Sequence, residues 1–461
     1  MSEGSRATRR TTRKERREAL EKMNLAGEMF KCIKHFFPNL IPLLKETITD
    51  PRNKSYIKYE LYIILFVRII SAAFNLSSMR NITSELNTSN ALSNIAKMLG
   101  YEELPEIPHW STINDTLERI DPDELETMKC KIVNRLIRSK AFNNSRIRNK
   151  YWQIVVDGSG LYSFSERHCE YCLTKEYKED GVVVRTEYYH YVLEAKLVLL
   201  ENVVISIATE FVENDPKAPA PKDGEKAKQD CELKAFYRLA KNLKSAFPRL
   251  PICLGLDSLY AKAPVFKICQ EYGWHYIIRF KDGSIRTLAA EFHALKNMEP
   301  EQIFSVVIDD LSMDYKYVLG IPYDNYMINV AECIETNKKN DKVKTFVFIT
   351  DMMISKKNCA GFIADGRRRW RAENEGFDIQ KNHGFYLEHI FSKNYTAMKN
   401  HYLLIQIGHA ISQLFTKYVR TKNINLTLQK LHKDLVEAFR TIVFSIADLV
   451  YINERCQIRL C

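Results

Sequence analysis

Two short runs of apolar residues in this chain are each followed at once by an aspartate. Residues 152–156 lead into Asp157, and residues 252–256 lead into Asp257, 100 positions further on. Such runs, rich in β-branched residues, are typical of buried strands, and in an open α/β sheet the chemistry collects just beyond the strand ends. Only a fold can bring two residues so distant in sequence together.

Each aspartate also has an ordinary structural explanation. An aspartate that follows a strand is usually a turn former or a helix N-cap. Asp157 opens the sequence Asp-Gly-Ser-Gly, which predicts a turn at the end of the first strand. Taken one at a time, the two aspartates leave both interpretations open.

A third segment, residues 367–384, is strongly basic and aromatic and carries acidic residues in its middle. On a helix, Arg369, Glu373 and either Gln380 or Lys381 would lie near one face. A carboxylate flanked by cations suits a site where Mg²⁺ and a phosphodiester meet, because the carboxylate holds the metal and the cations neutralise phosphate oxygens. The alternative is a solvated helix with ion pairs along its surface.

The charge balance favours a polyanionic partner. Lys and Arg number 68 against 57 Asp and Glu, a net charge of +11. Residues 1–20 hold seven basic and three acidic residues, so +4 lies there and the rest is in the body of the chain. Charge of this size is also common in enzymes of other kinds, so it does not establish nucleic-acid binding by itself.

Targeting signals and cysteine usage predict a cytoplasmic protein. The first residues are charged with no apolar segment behind them, unlike a secretory signal. The most apolar stretch, residues 61–74, is too short to span a bilayer and contains Arg68, so it predicts a buried helix and no membrane partner. The eleven scattered cysteines indicate mostly reduced thiols.

In their sequence contexts, the three acidic positions resemble the catalytic signature of DDE transposases, in the type-four branch of bacterial insertion sequences. The signature residues are Asp157 in Val-Val-Asp-Gly-Ser, Asp257 in Leu-Asp-Ser-Leu-Tyr-Ala, and Glu373 in Arg-Trp-Arg-Ala-Glu, followed by Lys381. The resemblance also includes Lys-Gln-Asp-Cys-Glu-Leu-Lys-Ala from position 228, Trp-His-Tyr-Ile-Ile-Arg-Phe-Lys-Asp-Gly from 274 and Glu-Gly-Phe-Asp-Ile-Gln-Lys-Asn-His-Gly from 375. It covers residues 150 to 415, with a looser match before them.

The resemblance implies an α/β fold with an RNase H-like mixed sheet flanked by helices. An all-α domain would precede the sheet, and a β-rich insertion would separate the second Asp from the Glu. The expected segments are a basic arm without structure (1–24), a helical DNA-binding domain (25–148), the first part of the core (149–284), the insertion (285–342), the second part of the core (343–418) and a C-terminal helical segment (419–461).

The resemblance further implies that Asp157, Asp257 and Glu373 bind two Mg²⁺ ions, for which Mn²⁺ can substitute, and catalyse phosphodiester chemistry. Arg369, Arg371 and Lys381 would contact DNA phosphates. The match departs from the family in its third motif, where position 366 is Gly instead of Tyr and Lys381 follows Glu373 by eight residues instead of seven. A register that pairs Arg371 with Glu375 stays open, although Arg-Trp-x-x-Glu favours Glu373.

The function implied is that of a bacterial transposase associated with the nucleoid. It would bind the inverted-repeat ends of its own element as double-stranded DNA, act as a homodimer in a synaptic complex, cut phosphodiester bonds and join the 3′ ends to target DNA. Two alternatives remain: an RNase H-like nuclease that does not transpose, and a DNA-binding protein with a degenerate core.

One cysteine pair lies outside this signature. Cys169 and Cys172 form a CxxC motif, and together with His168 and His190 they suggest a zinc knuckle. No second CxxC lies at zinc-ribbon spacing, so two thiols in a hairpin region are the preferred interpretation. The chain also has no glycine-rich phosphate loop, which argues against a nucleotide cofactor.

Overall fold

The computed structural model describes residues 23–76, 78–199, 203–217, 228–422, 424, 426–454 and 458–460. Residues 1–22 of the predicted basic arm lie outside the described residues. The chain divides into two compact units. The first comprises residues up to 141 together with 379–461, and the second comprises residues 142–378.

The first unit begins with helices, as the apolar spacing predicts. Residues 61–74 were predicted as a buried helix, and every residue of the helix Leu61–Ala73 is buried. The helix Pro122–Arg138 starts with proline in its first turn, where no backbone donor is needed, and the Asp121 side chain caps it. The helices of this part are α1 (Leu25–Phe36), α2 (Leu40–Glu46), α3 (Leu61–Ala73), α4 (Met79–Leu86), α5 (Ser89–Leu99), α6 (Trp110–Leu117) and α7 (Pro122–Arg138).

The second unit contains every strand that the structure describes. In chain order its elements are β1 (Trp152–Phe164), β2 (Leu173–Glu179), β3 (Val182–Val198), β4 (Val204–Val212), α8 (Glu232–Ala246), β5 (Ile252–Leu256), α9 (Ala263–Tyr272), β6 (His275–Arg279), α10 (Arg286–Leu295), β7 (Ile303–Ile308), β8 (Leu311–Tyr323), β9 (Tyr326–Asn337), β10 (Lys342–Thr350), α11 (Cys359–Arg367) and a π-helix (Ala372–Asp378).

These strands form one mixed sheet of ten strands in the order β2-β3-β1-β5-β6-β10-β9-β8-β7. Strand β4 lies off this path and pairs with β3. The pairs β1–β5 and β5–β6 are parallel, and the other pairs are antiparallel. The α/β prediction is confirmed at the level of a mixed sheet with helices.

The predicted short antiparallel strands between residues 285 and 342 are present as β7, β8 and β9. They continue the same sheet through β10 and do not form a separate one. Aromatic and aliphatic side chains from these strands share a buried core with β5, β6 and α11. The β-rich segment is therefore an extension of the sheet.

The turn predicted at Asp-Gly-Ser-Gly is wrong, because β1 continues through these residues to Phe164. A Cβ atom at Gly158 would collide with the Tyr191 ring from the neighbouring strand. The glycine at position 158 therefore marks the close approach of the Tyr191 ring and not a turn.

The first unit is completed by the C-terminal helices α12 (Ile379–Asn382), α13 (Tyr395–Thr421), α14 (Leu428–Thr441) and α15 (Ile446–Asn453). Helix α13 is 27 residues long, and polar residues such as Asn400, His401 and Gln406 are buried along it. Within the described ranges, no helix combines the length and apolar character needed to cross a membrane.

Candidate active site

The two aspartates lie at corresponding positions of neighbouring parallel strands. Val155 of β1 is the register partner of Gly255 of β5, and each aspartate comes two residues later. Because side chains alternate along a strand, Asp157 and Asp257 project from the same face of the sheet. Asp257 also caps a short 3₁₀ helix, accepting a bond of 2.8 Å from the Leu259 backbone amide. Asp257 is therefore both a helix cap, as its ordinary structural explanation predicts, and a neighbour of Asp157.

The π-helix carries the third carboxylate to this face. Ala372, its first residue, is fully buried and packs with Val155, Val198 and Val204, which belong to β1, β3 and β4. Glu373 follows Ala372 and is exposed. Single-turn π-helices are rare and occur frequently at functional sites.

The pKa of Asp157 responds to the charges of the other predicted carboxylates. Burial raises the pKa of Asp157 to about 6, the Arg369 guanidinium opposes this rise, and the negative charges of Glu373, Glu232 and Asp257 add to it. The Arg369 Nη1 atom lies 3.4 Å from Asp157 Oδ2. We refer to Asp157, Asp257, Glu373 and Glu232 as the acid cluster.

Glu232 is the member of this cluster to which the sequence assigned no role. It lies in the first turn of α8, where a negative charge is favoured by the helix dipole. Its carboxylate accepts hydrogen bonds from the hydroxyls of Tyr191, at 3.0 Å, and Tyr260, at 2.7 Å. The space above Gly158 allows Tyr191 to take this position. The only sequence signal for Glu232 was its place in the block that begins at position 228.

Strand β3 adds two further charged residues beside the cluster. Glu194 is the register partner of Asp157, and Lys196 is the partner of Val155. Both are fully buried. Glu194 accepts a 2.6 Å hydrogen bond from the Thr209 hydroxyl, and the Lys196 ammonium lies 4.6 Å from the centre of the Phe377 ring. In the sequence, Glu194 and Lys196 are recognisable as two charged residues at alternate positions of an apolar strand.

The three predicted DNA-contacting cations occupy different environments. Arg369 is paired with Asp157. Arg371 lies near Glu375, whose pKa is raised by burial while the Arg371 charge opposes that rise. Lys381 belongs to the first unit and pairs with Glu388 at 2.7 Å.

The predicted common helix face for Arg369, Glu373 and Lys381 is not present, because the segment is not one α-helix. Arg369 lies in a turn, Glu373 in the π-helix and Lys381 in α12. The i→i+5 hydrogen bonds of a π-helix change the angular spacing of side chains, so an α-helical periodicity cannot be carried through it.

The two candidates for the third acid differ in their neighbours. Glu373 is exposed and its charge acts on Asp157. Glu375 is half-buried, and its Oε2 atom is buried without a hydrogen-bond partner among the described residues. Charge interactions thus connect Glu373 with Asp157, and Glu375 with Arg371.

The donor chemistry of the acid cluster fits hard divalent cations, since carboxylate oxygens are the ligands that Mg²⁺ and Mn²⁺ prefer. Among the described residues, however, no three of these carboxylates place their oxygens all within 4.8 Å of one another. A single ion held by three of them would require side-chain movement, whereas two ions would divide the carboxylates between them. Within the same described set, Cys169, Cys172 and His190 meet that distance criterion.

Comparison with known proteins adds one finding on the first unit. No curated protein matches the chain. Residues 45–132 match the model of the family described as DDE_Tnp_1-associated, and they lie inside the segment predicted as the helical DNA-binding domain. This part of the chain therefore matches a domain that is found in DDE transposase families.

Proposed function

We propose that this protein is a DDE transposase that binds the terminal inverted repeats of its insertion sequence, cuts DNA phosphodiesters there and transfers the 3′ ends to target DNA. The observation that carries the proposal is the placement of Asp157 and Asp257 at corresponding positions of two neighbouring parallel strands, where the charge of Glu373 also acts on Asp157. The transposase-associated domain at residues 45–132 supports the same class of protein independently.

An RNase H-like core is part of the proposal. The antiparallel strands β4, β3 and β1 followed by the parallel strands β5 and β6 support it, since the first acid then lies on the central strand and the second on its neighbour. The proposed divalent ions would supply an activated water or 3′-hydroxyl and neutralise the leaving oxygen.

The residues of the chain would prepare the site for these ions. Asp157, Asp257 and Glu373 would hold the ions, and the two tyrosine hydroxyls on Glu232 would fix a fourth carboxylate beside them. Arg369 now balances the charge of Asp157 and would exchange that partner for a phosphate oxygen when DNA binds. Arg371 and Lys381 remain proposed phosphate contacts.

The helical domain, the basic arm and the net charge of +11 are proposed to supply end recognition. Transposition joins two ends of one element, so a homodimer that brings both ends together is the proposed assembly.

The proposal is tested by a cleavage and joining assay with the full chain. A plasmid carrying the gene and its native flanks is incubated with Mg²⁺ or Mn²⁺ and with wild type, Asp157→Ala, Asp257→Ala, Glu373→Ala or Glu375→Ala. We expect breaks at repeated sequences that flank the gene, followed by strand joining. The first three variants should abolish both activities and Glu375→Ala should retain them.

Other outcomes identify the alternatives. Loss of activity in Glu375→Ala with retention in Glu373→Ala would move the third metal ligand. Cleavage without joining would indicate a non-transposing nuclease. DNA binding without cleavage in either metal, unchanged by all four substitutions, would indicate a DNA-binding protein with a degenerate core.

A further inference from the structure

Three side chains outside the acid cluster meet in the second unit. The Sγ atoms of Cys169 and Cys172 are 3.6 Å apart, and the Nε2 atom of His190 lies 3.5 Å from the first and 3.6 Å from the second. Cys172 and His190 are almost fully buried, and Cys169 is half-buried. We refer to these three residues as the thiol–imidazole cluster.

The three distances match the edges of a zinc tetrahedron. With zinc–sulfur bonds of about 2.3 Å and zinc–nitrogen bonds of about 2.05 Å, tetrahedral angles place two sulfurs about 3.8 Å apart and a sulfur and a nitrogen about 3.6 Å apart. A disulfide would require the sulfurs to lie about 2.05 Å apart. The arrangement therefore has the spacing of ligands around one metal ion and not that of a crosslink.

Hydrogen bonds fix the backbone around the thiol–imidazole cluster. The Cys169 amide donates to Cys172 Sγ at 3.4 Å, and the Cys172 amide donates to the Cys169 carbonyl at 3.4 Å. The Asn214 side chain donates to the Cys172 carbonyl at 2.8 Å, and the backbone amide of Asn214 donates to the Tyr171 carbonyl. These bonds hold the two thiols on the same side of a tight turn.

We infer that Cys169, Cys172 and His190 bind one Zn²⁺ ion, with solvent as the fourth ligand on the half-exposed side of Cys169. Thiolate and imidazole are the donors that select zinc over magnesium. His168 is left out of the proposed ligand set because it does not belong to the group whose ligand atoms lie within 4.8 Å of one another; its ring stacks on Phe164 with centroids 4.4 Å apart.

The site has a structural role. His190 belongs to β3 and pairs with Tyr162 of β1, so the ion ties the segment between β1 and β2 to the sheet. The next residue, Tyr191, donates to Glu232 in the acid cluster. The zinc ion thereby restrains the strand that orients one of the carboxylates.

The test measures metal content, and it does not depend on catalysis. The full chain is purified without affinity tags that bind metals, dialysed against buffer without added metal, and analysed by mass spectrometry for zinc. The variants are Cys169→Ser, Cys172→Ser and His190→Ala, with His168→Ala and Cys130→Ser as matched controls. We expect one zinc per chain in wild type and both controls, and loss of most of the bound zinc in each ligand variant.

Cobalt keeps the proposal testable where a ligand variant fails to fold. Co²⁺ added to zinc-stripped wild type should give thiolate-to-metal charge-transfer absorption and the intense visible bands of four-coordinate cobalt, at one equivalent. Folded wild type that retains no zinc and gives no such spectrum would overturn the proposal. Zinc loss in His168→Ala would overturn the assignment of three protein ligands.

Discussion

The acid cluster and the thiol–imidazole cluster lie in the same unit but are organised in opposite ways. The thiols and imidazole are mostly buried, and their ligand atoms lie within 4.8 Å of one another. The carboxylates are more exposed and do not gather three oxygens that closely. Neutral thiols and imidazole can pack together before a cation arrives, whereas negative carboxylates repel one another. The proposed zinc site is thus already assembled, whereas the proposed site for Mg²⁺ or Mn²⁺ would need its cations to draw the carboxylates together.

The largest expected effect is the loss of DNA cleavage without loss of zinc when a carboxylate of the acid cluster is neutralised. Asp257→Asn keeps the size of the side chain but removes its charge, so cleavage should fall by at least about 1,000-fold, equivalent to about 4 kcal/mol. Zinc content should stay at one per chain. Cleavage of the native flanks and metal analysis measure the two results. Asp324→Asn, in a hairpin turn of the same unit, is the matched control and should change neither. Loss of zinc in Asp257→Asn would mean that the two clusters are not independent.

The next effect tests the strand that passes both clusters. Gly158→Ala places a methyl group against the Tyr191 ring, so it should lower the free energy of unfolding by about 1–3 kcal/mol. The same methyl group should displace the Tyr191 hydroxyl from its hydrogen bond to Glu232. Urea denaturation gives the stability change. Gly160→Ala, two residues further along β1, has open space around the added methyl and should be nearly neutral. Equal effects of both substitutions would refute the steric explanation.

A third prediction concerns the pKa of Asp157, which burial raises most and the neighbouring carboxylates raise further. The pKa of Asp157 in the folded protein is about 6, above its ordinary value of 3.8, so the folded state binds this proton more tightly than the unfolded state. Wild type should therefore lose stability as pH rises from about 4 through 6, and Asp157→Asn should not.

Without divalent ions, Asp157→Asn should be more stable than wild type by about 3 kcal/mol at pH 8 and nearly equal to it at pH 4. Thermal unfolding at the two pH values measures the difference. Adding Mn²⁺ at pH 8 should stabilise wild type more than the variant, because the cation removes the repulsion. A variant less stable than wild type at pH 8 would show that the Arg369 ion pair outweighs burial and repulsion.

The smallest effect tests how Glu232 is held. Tyr260→Phe removes one of two hydroxyl donors to Glu232 and should lower stability by about 1 kcal/mol. It should also raise the Mn²⁺ concentration for half-maximal cleavage by a few-fold, without changing zinc content. Tyr56→Phe, at a tyrosine that is 86% exposed, is the control. An unchanged Mn²⁺ requirement would remove Glu232 from the proposed metal site.

Much of the fold followed from local patterns. Strand β5 occupies the predicted residues 252–256, and the apolar stretch 61–74 contains the buried helix α3. Short apolar runs and 3.6-residue periodicity are properties of neighbouring residues, so they are visible without a fold. The apolar runs singled out two aspartates, of which the structure places Asp157 in β1 and Asp257 directly after the adjacent strand β5.

The errors and omissions involve residues distant in sequence. The glycine at position 158 suggested a turn, because the sequence does not reveal that Tyr191, 33 residues later, needs the space above it. Glu232 lacked any distinguishing feature until Tyr191 and Tyr260 were seen to hold it. The π-helix was missed because α-helical spacing was assumed from Arg369 through Lys381.

The sequence by itself determined strand β5 and the buried helix α3, that two aspartates follow short apolar runs, and that a CxxC pair precedes a histidine. Only the tertiary structure decided that Glu232 joins the aspartates and that His190 meets both thiols. Local propensities are settled within a few residues, whereas the distance between two side chains depends on strand register and packing across the whole unit. That register decides which charges repel and which ligand atoms converge.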